Sequence, residues 1–186
     1  MSPVRYFSAA IFVALIALIS LPTSAQTRRD ASIGSFYGHW QGNALSESET
    51  STYFQLTARD LDVHIQGADA GGFRINWTTV RRQKGDPKNP TIEKKATELL
   101  FAPTNRPNVW RQQPTSDPLD APYAWANLIG NILSITVLAI APDGTYEFQI
   151  YKRIITGGAM ELHYASFKDG EKSREAKGRL VKTGAP

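Results

Sequence analysis

The chain has 186 residues and no cysteine, with 21 Lys and Arg against 17 Asp and Glu and a calculated pI of about 9.4. Without cysteine there are no disulfides, no thiol chemistry and no thiolate metal site. The basic residues fall in short clusters separated by acids (Arg28-Arg29, Arg81-Arg82 with Lys84, Lys94-Lys95), which suits solubility and attraction to anionic surfaces, and no nucleic-acid partner is expected.

Arg5 precedes an apolar run from Tyr6 to Leu21, Pro22 breaks it, and Thr23-Ser24-Ala25 follow with small side chains. That order predicts a secretory signal peptide over 1–25. The apolar run, about 16 residues, falls short of the roughly 20 that a spanning helix requires. Cleavage after Ala25 would leave a periplasmic or secreted protein without a transmembrane span. Residues 26–35 are polar and read as a flexible leader to a single domain over 36–183.

Beyond the leader, apolar residues recur at period two, the signature of half-buried strands. Eight strands are predicted, over 37–46, 52–66, 72–81, 93–101, 132–141, 145–155, 159–167 and 172–182. In the second, Phe54, Leu56 and Ala58 alternate with polar residues, then Leu61, Val63 and Ile65 do so in the other phase. The switch predicts a bulge at Arg59-Asp60. In the third, Phe73, Ile75 and Trp77 face inward, with Arg74 and Asn76 outward. Between the fourth and fifth, residues 102–125 hold Pro103, Pro107, Pro114, Pro118 and Pro122 among Trp110, Tyr123 and Trp125. Proline at that density argues against a central strand and predicts an ordered flap. Pro142-Asp143-Gly144 is a turn, after which Tyr146, Phe148 and Ile150 are assigned inward, followed by Met160, Leu162 and Tyr164. The class is all-β: an antiparallel up-and-down meander of about eight strands, able to hide its edges by closing into a barrel. A barrel of that size is filled by side chains or holds one small ligand.

Gly38-His39-Trp40 opens the first strand. It resembles the Gly-x-Trp signature that begins the barrels of the calycin group, the lipocalins and the avidin-like proteins. The resemblance implies that Trp40 plugs the closed end. It also implies a basic side chain late in the last strand packing across Trp40, with Arg179 the candidate and Arg174 the alternative. The 102–125 segment departs from that group, where a short hairpin stands, and there is no convincing C-terminal helix.

No catalytic motif is visible: the chain has neither a nucleophile elbow, nor a phosphate-binding glycine loop, nor a zinc-binding His-Glu pair. Asp60, Asp62 and His64 share one face of a strand but read as its solvated side, so no metal site is expected, and no cofactor can be named. The aromatic residues carry more information. Inward rings at Trp77, Tyr146, Phe148 and Tyr164, with Trp110 and Trp125 from the flap, suit a small apolar or amphipathic ligand. The expectation is therefore a secreted or periplasmic ligand-binding module. The alternative is a cell-envelope interaction protein whose rings fill the core. A third reading is an enzyme of unknown reaction using carboxylates or His at the barrel mouth.

Overall fold

In the computed structural model the described residues are 30–48, 56–82 and 92–184. The expected signal peptide, most of the leader, and Tyr53 and Phe54 lie outside them. A 3-10 turn, Ile33–Phe36, leads into ten antiparallel strands. These are β1 (Gly38–Ser48), β2 (Leu56–Gly67), β3 (Phe73–Arg82), β4 (Ile92–Pro103), β5 (Val109–Gln113), β6 (Tyr123–Ile129), β7 (Ile132–Ile140), β8 (Tyr146–Thr156), β9 (Ala159–Lys168) and β10 (Glu171–Gly184). Each pairs with its neighbours in sequence, and β10 pairs back onto β1, closing the ring.

The all-β class, the meander and the closure are as expected; the strand count is ten instead of about eight. The two further strands come from the proline-rich segment. β5 and the start of β6 occupy it, so it is wall and not a flap laid over a finished barrel. Its prolines sit where the chain turns: Pro103 ends β4, Pro107 lies in the β4–β5 connection, and Pro114, Pro118 and Pro122 lie between β5 and β6. β6 hid because its size pattern is inverted. Small Ala124 and Ala126 face inward and are buried, while Tyr123 and Trp125 face outward.

Two assignments of face are corrected. The β1–β2 register runs unbroken from Gly38↔Ile65 to Glu47↔Leu56, so there is no bulge at Arg59-Asp60. The period instead continues inward through Arg59, and Ala58 is exposed. In β8 the inward residues are Glu147, Gln149, Tyr151 and Arg153, not Tyr146, Phe148 and Ile150. β3 behaves as predicted, with Phe73, Ile75 and Trp77 buried and Arg74 on the outer wall, paired with Glu98.

One end of the barrel is packed solid. Phe36, from the turn before β1, is fully buried there with Ile65, Ile75, Leu133, Met160 and Leu180. Phe73 stacks on Phe101 at 4.9 Å and meets Trp110 edge-on at 5.5 Å.

Closure requires β1 and β10 to approach closely at glycine. A Cβ on Gly42 would fall 2.0 Å from the Arg179 carbonyl oxygen and 2.8 Å from Leu180 Cα, both backbone atoms that cannot swing aside. Gly42→Ala is expected to cost about 1–3 kcal/mol of unfolding free energy in urea titrations. The neighbouring exposed Asn43→Ala is expected to stay within about 0.5 kcal/mol of the parent.

Candidate functional site

Trp40 seals the packed end. Its indole N–H donates to the Phe36 carbonyl oxygen at 2.9 Å. The cation over its ring is Lys182, with Nζ 5.6 Å from the ring centroid. Arg179 lies exposed on β10, at a position whose parity points outward. Arg174 lines the other end of the barrel. The plug suggested by the sequence exists, then, with a different basic partner. Lys182 pairs with Trp40 in the same register that holds the rest of β1 against β10, whereas Arg179, three residues earlier, falls on the opposite face of the strand.

The other half of the barrel holds a cavity of about 280 Å³. Part of its wall is apolar: Leu61, Val63, Trp77 and Leu162. β1 and β10 contribute only Ala44 and Ala176 at the same level, and these small side chains leave the space open. The rest is polar. Thr79, Thr97, Gln149 and Glu147 line it with four basic side chains, Arg59, Lys95, Arg153 and Arg174. Four cations face one carboxylate, so the lining is electropositive.

β8 builds the most organised wall. Residues two apart in a strand share a face, and Glu147, Gln149, Tyr151 and Arg153 use this to form a ladder. The Tyr151 hydroxyl donates to Gln149 Oε1 at 2.7 Å, and Gln149 Nε2 donates to Glu147 Oε1 at 2.8 Å. Tyr151 also packs on Tyr164 at 4.8 Å and on Trp77 at 5.1 Å. Burial pushes both phenols above the usual tyrosine range, with the neighbouring Tyr164 adding to the effect at Tyr151.

Arg153 stands at the inner end of the ladder. It is 1% exposed, and its guanidinium carbon lies 5.1 Å from the Trp77 ring centre and 5.7 Å from that of Tyr151. Cation–π contact with two rings offsets part of its desolvation. Nε and Nη1 are buried with no hydrogen-bond acceptor among the described residues. Desolvation pulls the guanidinium down to about 10, which still leaves it charged at neutral pH.

The residues expected to bind a ligand divide into three groups. Trp77 and Tyr164 line the cavity. Trp110 is buried in the packed end, where its indole N–H donates to the Gly71 carbonyl oxygen at 3.0 Å. Tyr146, Phe148 and Trp125 are on the outer wall: Tyr146 is 40% exposed, and Trp125 packs 5.8 Å from Phe148 and 6.0 Å from Tyr123. The polar trio lies outside the cavity. Asp62 is half-exposed on the outer wall, bonded to His39 at 2.8 Å and Gln41 at 2.9 Å, with His64 beside His39. Its slight burial would raise the carboxyl, but the bonds from Gln41 and His39 outweigh this and hold it below the usual value. The Asp60 side chain is not among those described. No three His, Asp or Glu side chains among the described residues could jointly hold a metal ion.

Sequence reasoning missed Arg59, Glu147, Gln149, Arg153 and Arg174 as cavity residues, because polar residues in an alternating strand read as its wet face. β8 carried one usable signal. Tyr151 and Ile155 share the face of Arg153, so that face is not wholly polar.

No protein-family model matches the chain, and no curated protein matches it in sequence. Among solved structures, it is similar to a protein of unknown function of the DUF3598 family from Nostoc punctiforme. The TM-score is 0.53 at 14% identity, over 83% of this chain and 50% of that one. The chain thus spans half the length of that protein, and the likeness is one of fold. It also aligns with an S-type phycobiliprotein lyase from Guillardia theta, with a TM-score of 0.39 at 9% identity over 83% of this chain and 92% of that one.

The two raised phenols have a measurable consequence. A group whose folded value is raised contributes stability that is complete below its unfolded value, about 10 for tyrosine, and lost as pH rises through the folded value. Arg153, held below its ordinary value, has the opposite sign and gains stability over the same alkaline range. In an ultraviolet titration of the seven tyrosines, a late phase is expected above about pH 10. It should shrink in a Tyr151→Phe, Tyr164→Phe double variant, leaving the part owed to Tyr37, whose phenol is also raised by burial.

Proposed function

We propose that the chain is a binding module that takes one small amphipathic molecule through the open end of its barrel. The observation that carries this reading is the cavity of about 280 Å³, walled by rings on one side and by positioned polar groups on the other. That combination suits a ligand with an apolar body and few polar contacts. The packed end, with Phe36 and Trp40, gives the barrel its rigidity, so the open end is free to specialise. Export by the 1–25 segment to the periplasm or beyond belongs to the same proposal, as does kinship with the calycin group. Filling the cavity tests the reading. Ala176→Phe keeps the strand pattern and occupies the space beside Leu162 and Tyr164. Native mass spectrometry of protein purified from the cells that make it should reveal a bound small molecule in the parent and none in this variant, with unchanged far-ultraviolet circular dichroism. A parent that carries nothing and binds no small organic probe would contradict the proposal.

A second reading rests on the outer wall. Tyr123, Trp125 and Phe148 form an exterior ring cluster, and a shallow groove beside it is lined by Pro103, Arg106, Val109 and Arg111. Clustered apolar surface marks interaction sites, and a cell-envelope protein would be the partner. Trp125→Ser with Phe148→Ser should abolish capture of such a partner from envelope extracts while leaving small-molecule binding intact. Equal capture by parent and variant would end this second reading.

A further inference from the structure

We propose that the molecule held in the barrel is a planar or aromatic carboxylate, and that Arg153 is the residue that anchors its anionic group. This rests on the binding reading above and adds the chemical class of the ligand.

The charge in the interior is unbalanced. A buried charge is normally paired, because leaving it unpaired in a poorly solvated site is costly. Arg153 is almost completely buried, and among the described residues no carboxylate meets it. Glu147, the one acid lining the cavity, lies three inward positions further along β8 and accepts from Gln149. The rings of Trp77 and Tyr151 lie together on one side of the guanidinium, with their centres 5.1 Å apart. Its N–H groups point from its edge, and two of the three nitrogens have no acceptor. A guanidinium edge matches a carboxylate in a bidentate pair. A carboxylate entering the cavity would therefore supply what Arg153 lacks.

The surroundings narrow the class further. Val63, Trp77 and Leu162 line the same cavity. These side chains offer contact to a flat apolar body, and only the indole N–H of Trp77 among them can donate to an anion. A monoanion with an apolar frame loses less hydration there than a phosphate would. Lys95 and Arg174, lining the cavity with Arg59, add positive potential on the approach, and a field of one sign raises the capture rate of an oppositely charged ligand.

A pair of probes that differ only in charge tests this: 2-naphthoate and 2-naphthamide, titrated into the full chain by calorimetry. The parent should bind the naphthoate at least about ten-fold more tightly than the naphthamide, as a charge-assisted pair implies. In Arg153→Met, that preference should fall to within about two-fold while the naphthamide affinity is kept. The cavity-filling Ala176→Phe should bind neither probe. Because Met replaces an uncompensated charge by an apolar side chain of similar reach, Arg153→Met should melt no lower than the parent. Equal affinity of the parent for both probes would overturn the proposal and leave the binding reading standing. Survival of the preference in Arg153→Met, or of naphthoate binding in Ala176→Phe, would place the anion elsewhere and also overturn it. Failure of the parent to bind either probe would remove both readings. The comparison of the two probes on the parent needs no variant to fold.

Discussion

A ring of ten strands is wider than a ring of eight, and eight already leaves only enough room for side chains to fill. That width is the constraint to which the rest of the molecule answers. At one end it is met by bulk. Phe36 is brought in by a 3-10 turn outside the sheet, and Phe73, Phe101 and Trp110 pack their rings together. At the other end the width is not met. Ala44 and Ala176 stand where large side chains would close the space, and the tight glycine contacts of β1 with β10 draw the backbones together without adding any.

The open half has polar and charged groups in places where a barrel selected only for stability would carry Leu or Ile. Each such group has a physical cost, met in part by contacts along β8. The Tyr151–Gln149–Glu147 chain satisfies one donor with the next acceptor, and the rings of Trp77 and Tyr151 lie beside the Arg153 guanidinium. What is left over, two buried nitrogens without an acceptor on a side chain that lines the cavity, is the feature a filled core would not tolerate. Buried polar groups without partners are rare, and each calls for a reason. Here the proposed ligand would supply the reason.

The class, the meander, its closure and the buried face of β3 were all legible in the sequence, because Phe73, Ile75 and Trp77 alternate with polar residues and have no competing pattern. Trp40 was legible as a plug only through the resemblance of Gly38-His39-Trp40 to the Gly-x-Trp signature. The candidate site was much less so. Trp77 and Tyr164 were found, but Tyr146, Phe148 and Trp125 were placed on the wrong side of the wall. The rule that large apolar residues point inward fails where the interior is a polar cavity and the exterior carries rings of its own. Arg59 shows this most clearly. It continues the inward period of Leu61, Val63 and Ile65, and a charge in that place was taken for a bulge. The identity of Lys182 as the cation over Trp40 depended on the long-range register of β1 against β10, which no local pattern reveals.

The state of the Arg153 side chain in solution tests the central claim most directly. A guanidinium-selective ¹H–¹⁵N correlation spectrum resolves its Nε–H from those of exposed arginines. The account predicts a slowly exchanging resonance that moves when an aromatic carboxylate is added and stays in place when the matching neutral amide is added. An Nε–H that exchanges as fast as those of the surface arginines, or that is blind to both molecules, would contradict it.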